Sequence, residues 1–187
     1  MAHSVEFLLD DDLDARVRSE WAALTRAGLP SQGTIDAPTN RPHVTALAAV
    51  RIDPAADTAL AGVAMRLPFP VTLGAPVVFG RGDRATVARL VVPSTDLLSA
   101  HAQAVRLVGD HAVDADGAAH VFAHSRPGDW TPHVTLARRV PTDRLADVLA
   151  VVLGTDAGGA DLTGRVVGIR RWDGDQRTEH VLAGRDC

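Results

Sequence analysis

Two stretches of this 187-residue chain decide how it is read: Arg41-Pro42-His43-Val44-Thr45-Ala46-Leu47 and Thr131-Pro132-His133-Val134-Thr135-Leu136-Ala137. Both contain Pro-His-Val-Thr, 90 residues apart. A single His-x-Thr carries little information, because eight His and fourteen Thr give roughly one chance match in every two chains of this composition. Two identical tetrapeptides at equivalent places in a repeated pattern are a strong signal. Each opens an apolar run that reads as a strand, near 43–52 and 131–140, and a helical pattern follows each. Side chains alternate faces along a strand, so His43 shares a face with Thr45, and His133 with Thr135. Val44 and Val134 then point to the side that a helix covers.

The flanks repeat as well. Val5 to Leu9 reads as a strand, and Asp10 to Asp12 cap a helix with Leu13, Val17, Trp21 and Leu24 at helical spacing. Residues 31–42 have loop composition. Pro54 opens a second helix to about Arg66. Phe69–Phe79 and Ala85–Val92 form a hairpin around Gly80-Arg81-Gly82-Asp83, which lacks the lysine and following helix of a phosphate loop. Ser94 or Thr95 caps a third helix, and 109–130 is a polar, His-rich connection. After the second motif come a helix with Leu145, Val148, Leu149 and Val152, a Gly-rich break at 154–159, and strands near 161–172 and 177–184. Strand, helix and two-strand hairpin thus occur twice, which predicts one domain over 1–187 made of two similar lobes rather than a solenoid. If a pseudo-two-fold axis relates the lobes, two imidazoles and two hydroxyls converge on one cleft.

Composition narrows the function classes. Apolar residues make up 46% and charged residues 22%, the mix of a globular protein. All nineteen basic residues are Arg, and the net charge is −4. That balance speaks against a long nucleic-acid track, which leaves a basic footprint, but not against a small anionic substrate held by a few arginines. The single cysteine, Cys187, permits no intrachain disulfide and no Cys-based zinc site. No apolar stretch approaches the roughly 18 residues that span a bilayer, and the first residues lack a basic leader region. The expectation is a cytoplasmic protein, a monomer without an obligate protein partner or membrane association.

The repeated motif suits hydrolysis or transphosphorylation of a phosphodiester without a metal. Histidine serves as base or acid near neutrality. One neutral imidazole takes a proton from the attacking water or hydroxyl, and the opposite imidazolium protonates the leaving oxygen. The threonine hydroxyls donate to non-bridging phosphate oxygens as charge builds.

On these residues, and on Pro132-His133-Val134-Thr135-Leu136-Ala137-Arg138 in particular, the chain resembles the 2H phosphoesterase superfamily. Within it, the chain is most similar to bacterial 2′-5′ RNA ligase-like proteins, also called RNA 2′,3′-cyclic phosphodiesterases. The order of elements agrees over nearly the whole chain, and the specific matches lie in the two motifs and their flanks. The resemblance implies an α+β, bilobal fold in which two antiparallel sheets flank a central cleft with helices on the outer faces. It implies a site needing neither metal, ATP nor other cofactor, and opening of 2′,3′-cyclic phosphates to 2′-phosphates at an RNA terminus or nucleotide. Reversible 2′-5′ joining of RNA ends is also associated with the family. By the same resemblance His43 and His133 are the catalytic histidines, and Thr45, Thr135 and Arg138 bind phosphate. One departure is that Ala46 follows Thr45 where Leu is commoner, a core-side difference.

Other residues divide between readings. Arg139 rivals Arg138, since the strand end can turn either one inward, and Arg41 reads as a solvated loop charge. Trp130 is a candidate for base stacking, with a plug between the lobes as the alternative, while Trp21 and Trp172 read as core. His120 and His124 have the i, i+4 spacing of metal ligands, but their segment lacks helical patterning and a suitably placed carboxylate, so no metal site is expected. His3, His101, His111 and His180 receive no role. Two rival functions remain: a small-nucleotide cyclic phosphodiesterase acting, for example, on ADP-ribose 1″,2″-cyclic phosphate, and a non-catalytic RNA-end or nucleotide-binding module.

Overall fold

The computed structural model describes residues 2–155 and 160–184, with the backbone alone at Arg81. Cys187 and most of the expected Gly-rich break lie outside the described residues. In chain order the elements are β1 (His3–Leu9), α1 (Asp11–Arg26), β2 (His43–Ala49), β3 (Arg51–Ile52), α2 (Ala56–Ala64), β4 (Phe69–Arg81) and β5 (Arg84–Val91). Then follow α3 (Thr95–Val108), β6 (Ala112–Val113), β7 (His133–Pro141), α4 (Leu145–Gly154), β8 (Leu162–Asp173) and β9 (Thr178–Ala183).

Local chemistry sets the helix starts. The Asp10 carboxylate accepts from the Leu13 N–H at 2.8 Å, and Asp11, Asp12 and Asp14 occupy the positive end of α1. Ser94, rather than Thr95, caps α3 by accepting from the Leu97 N–H. The apolar stripe of α1, Leu13, Val17, Trp21 and Leu24, is buried as its spacing predicts. Helices α1 and α4 pack together, as do α2 and α3.

The class is α+β and the pairing antiparallel, and the two halves run into one sheet of order β2-β1-β8-β4-β5-β7, with β9 on β8. The joint is β4 against β8, from Phe69 opposite Val166 to Leu73 opposite Leu162. The end strands β2 and β7 nevertheless touch each other, so the sheet curls until its edges meet across the cleft. The expected 43–52 strand is divided at Val50. Its last part, β3, pairs with β6 from the His-rich connection in a separate two-stranded sheet.

The two motif strands share an irregularity that alternation alone does not predict. Between Val5 and Glu6 the β1–β2 register shifts, so that Val5 faces Leu47 while Glu6 faces Thr45. In β5–β7, Val87 faces Ala137 while Ala88 faces Thr135. Each strand therefore carries one extra residue directly after its threonine, Ala46 or Leu136, a β-bulge. The bulges explain why the neighbours Ala46 and Leu47, and likewise Leu136 and Ala137, are all fully buried.

Candidate active site

The backbone aims the motif side chains into the cleft. On β2, Val44 and Leu47 enter the core at 0% exposure while His43 and Thr45 stay half-buried; on β7, Val134 and Leu136 do the same beside His133 and Thr135. Each imidazole is anchored alike. His43 Nδ1 lies 2.7 Å from the Arg41 carbonyl oxygen, and His133 Nδ1 lies 2.8 Å from that of Thr131. A carbonyl only accepts, so each Nδ1 carries a hydrogen and donates, which leaves Nε2 as the working nitrogen of both rings.

The two threonine carbonyls are also held alike, by tryptophans from distant parts of the chain. The Trp21 indole N–H donates to the Thr135 carbonyl at 3.0 Å, and that of Trp130 donates to the Thr45 carbonyl at 2.9 Å. Trp130 is half-buried and lies flat on His101, with ring centroids 3.8 Å apart. His101 in turn holds the Ser125 carbonyl at 2.9 Å, and burial lowers its pKa against the opposing effect of that bond. His101, given no role from sequence, thus braces Trp130, whose geometry is that of a strut under the first motif strand.

Electrostatics separates the two histidines. Glu6, 4% exposed on β1, places Oε1 3.5 Å from His43 Nε2. Burial works to raise the pKa of Glu6, but the charges of His43 and Arg170 and hydrogen bonds from Ser4 and Arg170 outweigh it, and the net shift is downward. Glu6 is therefore an anion beside His43. Arg170, 3% exposed, binds Glu6 at 2.6 Å as well as Glu179 and the Thr39 carbonyl. Arg41, expected to be a solvated charge, is half-buried and pairs with Glu179 at 3.2 Å.

Among the described residues no carboxylate lies within 4 Å of His133. The position matching Glu6 in the β5–β7 register is Ala88. The Phe79 ring packs on the imidazole with centroids 4.7 Å apart. Burial pushes the His133 pKa down; the bond to Thr131 opposes this, and the charges of His43, Arg138 and His124 add to the lowering. The imidazole is accordingly poised to be neutral near pH 7.

Arg138 and Arg139 sit on a second bulge. Val87 faces Ala137 and Ala85 faces Val140, so three steps along β7 match two along β5. Arg139 takes up the extra length at φ 55°, a left-handed conformation uncommon outside glycine. Both arginines are exposed and line one groove of about 960 Å³ with Phe79 and Arg84. The structure therefore sets both beside the site, and the charge of Arg138 contributes to the lowering of the His133 pKa.

Neither His120 nor His124 belongs to a metal-ligand cluster among the described residues. The group with that spacing is His3, Asp173 and Asp175, at the far end of β1, where His3 Nδ1 accepts from the Ile52 N–H. Trp172, expected in the core, is half-buried on β8. Three site neighbours escaped the sequence reading. Glu6 was visible as a charge inside the run Val5-Glu6-Phe7-Leu8-Leu9, on the face opposite Val5 and Phe7. Phe79 had no local signal, and His124 stands out in the sequence only through its i, i+4 spacing with His120.

A curled antiparallel sheet that sets two His-x-Thr strands against each other across a cleft defines a 2H phosphoesterase. The chain belongs to the 2′-5′ RNA ligase superfamily, whose family model matches residues 10–176. Among solved structures it is similar to E. coli LigT complexed with 3′-AMP, at TM-score 0.53 and 14% identity over 98% of this chain and 94% of that one. Kluyveromyces marxianus Usb1 with uridine monophosphate is similar at TM-score 0.52 and 12% identity, over 97% of both chains. At such identities the likeness is one of fold. No curated protein sequence matches the chain.

Proposed function

We propose that this chain is a metal-independent phosphodiesterase that opens 2′,3′-cyclic phosphates at RNA ends or on short oligonucleotides and leaves 2′-phosphates. The observation that carries the reading is the matched anchoring of His43 and His133 through Nδ1, on two strands that touch each other and each carry a threonine two residues on. The structural neighbours solved with 3′-AMP and uridine monophosphate support a nucleotide as ligand.

The unequal surroundings support one division of roles. His133, held neutral by burial and nearby positive charge, is the general base. Its Nε2 takes a proton from water as the water oxygen bonds to phosphorus. His43, whose Nε2 lies 3.5 Å from the Glu6 carboxylate, is the general acid. Its Nε2–H passes to O3′ as the P–O3′ bond breaks, and the 2′-ester remains. The Thr45 and Thr135 hydroxyls and the Arg138 guanidinium stabilise charge on the non-bridging oxygens. With a 5′-hydroxyl in place of water, the same proton transfers produce a 2′-5′ linkage.

A panel of 2′,3′-cyclic mononucleotides, cyclic-ended oligonucleotides, 2′-5′ dinucleotides and ADP-ribose cyclic phosphate tests the proposal, with product regiochemistry read by NMR. The expected result is a 2′-phosphate product from the 2′,3′-cyclic substrates, unaffected by excess EDTA. Turnover confined to ADP-ribose cyclic phosphate, loss of activity with chelator, or binding without turnover would each overturn it.

A further inference from the structure

The groove beside His133 is a site in its own right. It extends for about 960 Å³ from Phe79 toward the 3-10 turn Gln32–Thr34. Three guanidinium groups line it, those of Arg84, Arg138 and Arg139. Among the described residues neither Arg138 nor Arg139 has a carboxylate within 4 Å, and Arg84 has only the exposed Asp83 at 3.8 Å. In a chain of net charge −4 this is an uncompensated basic patch. The double bulge of β7 and the left-handed Arg139 hold these side chains in the groove, and Arg84 donates to the Arg139 carbonyl at 3.3 Å. Bulges beside active sites characteristically re-aim side chains in this way.

The opposite side of the cleft has no counterpart. The positions matching Arg138 and Arg139, counted from the threonines, are Ala48 and Ala49, and the nearest charge to His43 is the Glu6 anion. On the His43 side Arg41 and Arg170 are tied to Glu179 and Glu6, whereas Arg138 and Arg139 on the His133 side have no carboxylate within 4 Å among the described residues. A cyclic phosphate terminates the 3′ end of a strand, so any further phosphates lie upstream of it. The groove also offers an exposed apolar side chain, Ile35, 48% exposed, and the amide-bearing Gln32 for a base face and edge.

Building on the cyclic phosphodiesterase reading, we infer that this groove is a subsite for the upstream strand. Arg84 and Arg139 bind the phosphate of the penultimate nucleotide, and the enzyme therefore favours cyclic-ended oligonucleotides over cyclic mononucleotides. One or two such contacts add about 0.7 each to the slope of log K against log salt for a single strand.

Calorimetry with a uridine tetranucleotide ending in a 2′-phosphate, against uridine 2′-monophosphate, at 50 and 200 mM salt, tests the subsite without relying on turnover. The tetranucleotide should bind at least about tenfold tighter, with a salt slope steeper by about 0.7 to 1.4. Arg84→Gln, which retains a donor for the Arg139 carbonyl, should cut that advantage about three- to tenfold and leave monophosphate affinity unchanged. Adding Arg139→Asn, a residue that tolerates positive φ, should bring the two ligands close to equal affinity. Equal affinities in the wild type, as when the groove only houses the terminal base, would overturn the subsite, and so would an advantage that survives the double variant. A tetranucleotide that binds with the advantage but is never opened in its cyclic form sinks the hydrolase reading and leaves the subsite standing. Hydrolysis without any oligonucleotide preference does the reverse.

Discussion

The two motif strands have nearly the same backbone and different electrical surroundings. Both anchor Nδ1 on the carbonyl two residues back, both bulge after the threonine, and both receive an indole hydrogen bond. Their neighbouring strands differ residue by residue. Facing Thr45 is Glu6; facing Thr135 is Ala88. Next along, on the core side, Phe7 of the first half packs edge-on to Phe69, whereas the second half buries Arg89 at 1% exposure against Glu20. The repeat supplies two equivalent imidazoles, and the strand beside each gives it different electrical surroundings.

The largest effects should come from the imidazoles themselves. His43→Ala and His133→Ala should each lower kcat/KM for a cyclic-ended substrate by about 10²- to 10⁴-fold, with the double variant well short of the product of the two. Steady-state rates check this, and unchanged turnover in either variant breaks the functional pairing of the halves.

Next comes the buried ion pair. Arg89→Met leaves Glu20, itself 1% exposed, without its partner and should destabilise the fold by about 3–5 kcal/mol. The double variant Glu20→Leu with Arg89→Met removes both buried charges. It should recover most of the loss in urea unfolding; no recovery would mean that the Gly74 carbonyl, which Arg89 also binds at 3.0 Å, dominates.

The comparison sharpens with Glu6→Gln. Removing the anion beside His43 Nε2 should lower kcat/KM about tenfold without moving the acidic limb of its pH profile. The acidic limb belongs to His133, whose neutral form is favoured by burial, and should stay in place below the ordinary histidine value of 6.5. Movement of the acidic limb instead would exchange the two roles. The smallest effects belong to the tryptophans. Trp21→Phe and Trp130→Phe each delete one hydrogen bond and should each cost about 1 kcal/mol in denaturant unfolding. A gap between them of more than about 1 kcal/mol would show that the two halves are braced unequally.

What the chain discloses by itself follows from how far its signals reach. Alternation and helical spacing act over a few residues, so the elements, their order and the shared faces of His43 with Thr45 and His133 with Thr135 are legible. The Asp10 cap and the Ser94-Thr95 helix start are local in the same sense. Bulges are set by a partner strand, and nothing within Thr45-Ala46-Leu47 announces that Ala46 is the extra residue. The merging of two sheets rests on contacts between 69–73 and 162–166, far apart in sequence. The unequal surroundings of the histidines were hidden for the same reason: Glu6 lies 37 residues before His43 and meets it only through the β1–β2 register.

The tryptophan struts have a consequence for assembly. Trp21 lies in the first half of the chain and secures the second motif, 114 residues onward; Trp130 lies in the second half and secures the first motif, 85 residues back. Each half holds the part that finishes the other. Contacts of such long sequence separation form only after large loops close, which places completion of the cleft late in folding. A chain emerging from the ribosome therefore lacks the indole bond to Thr45 until Trp130 is synthesised and the one to Thr135 until β7 is.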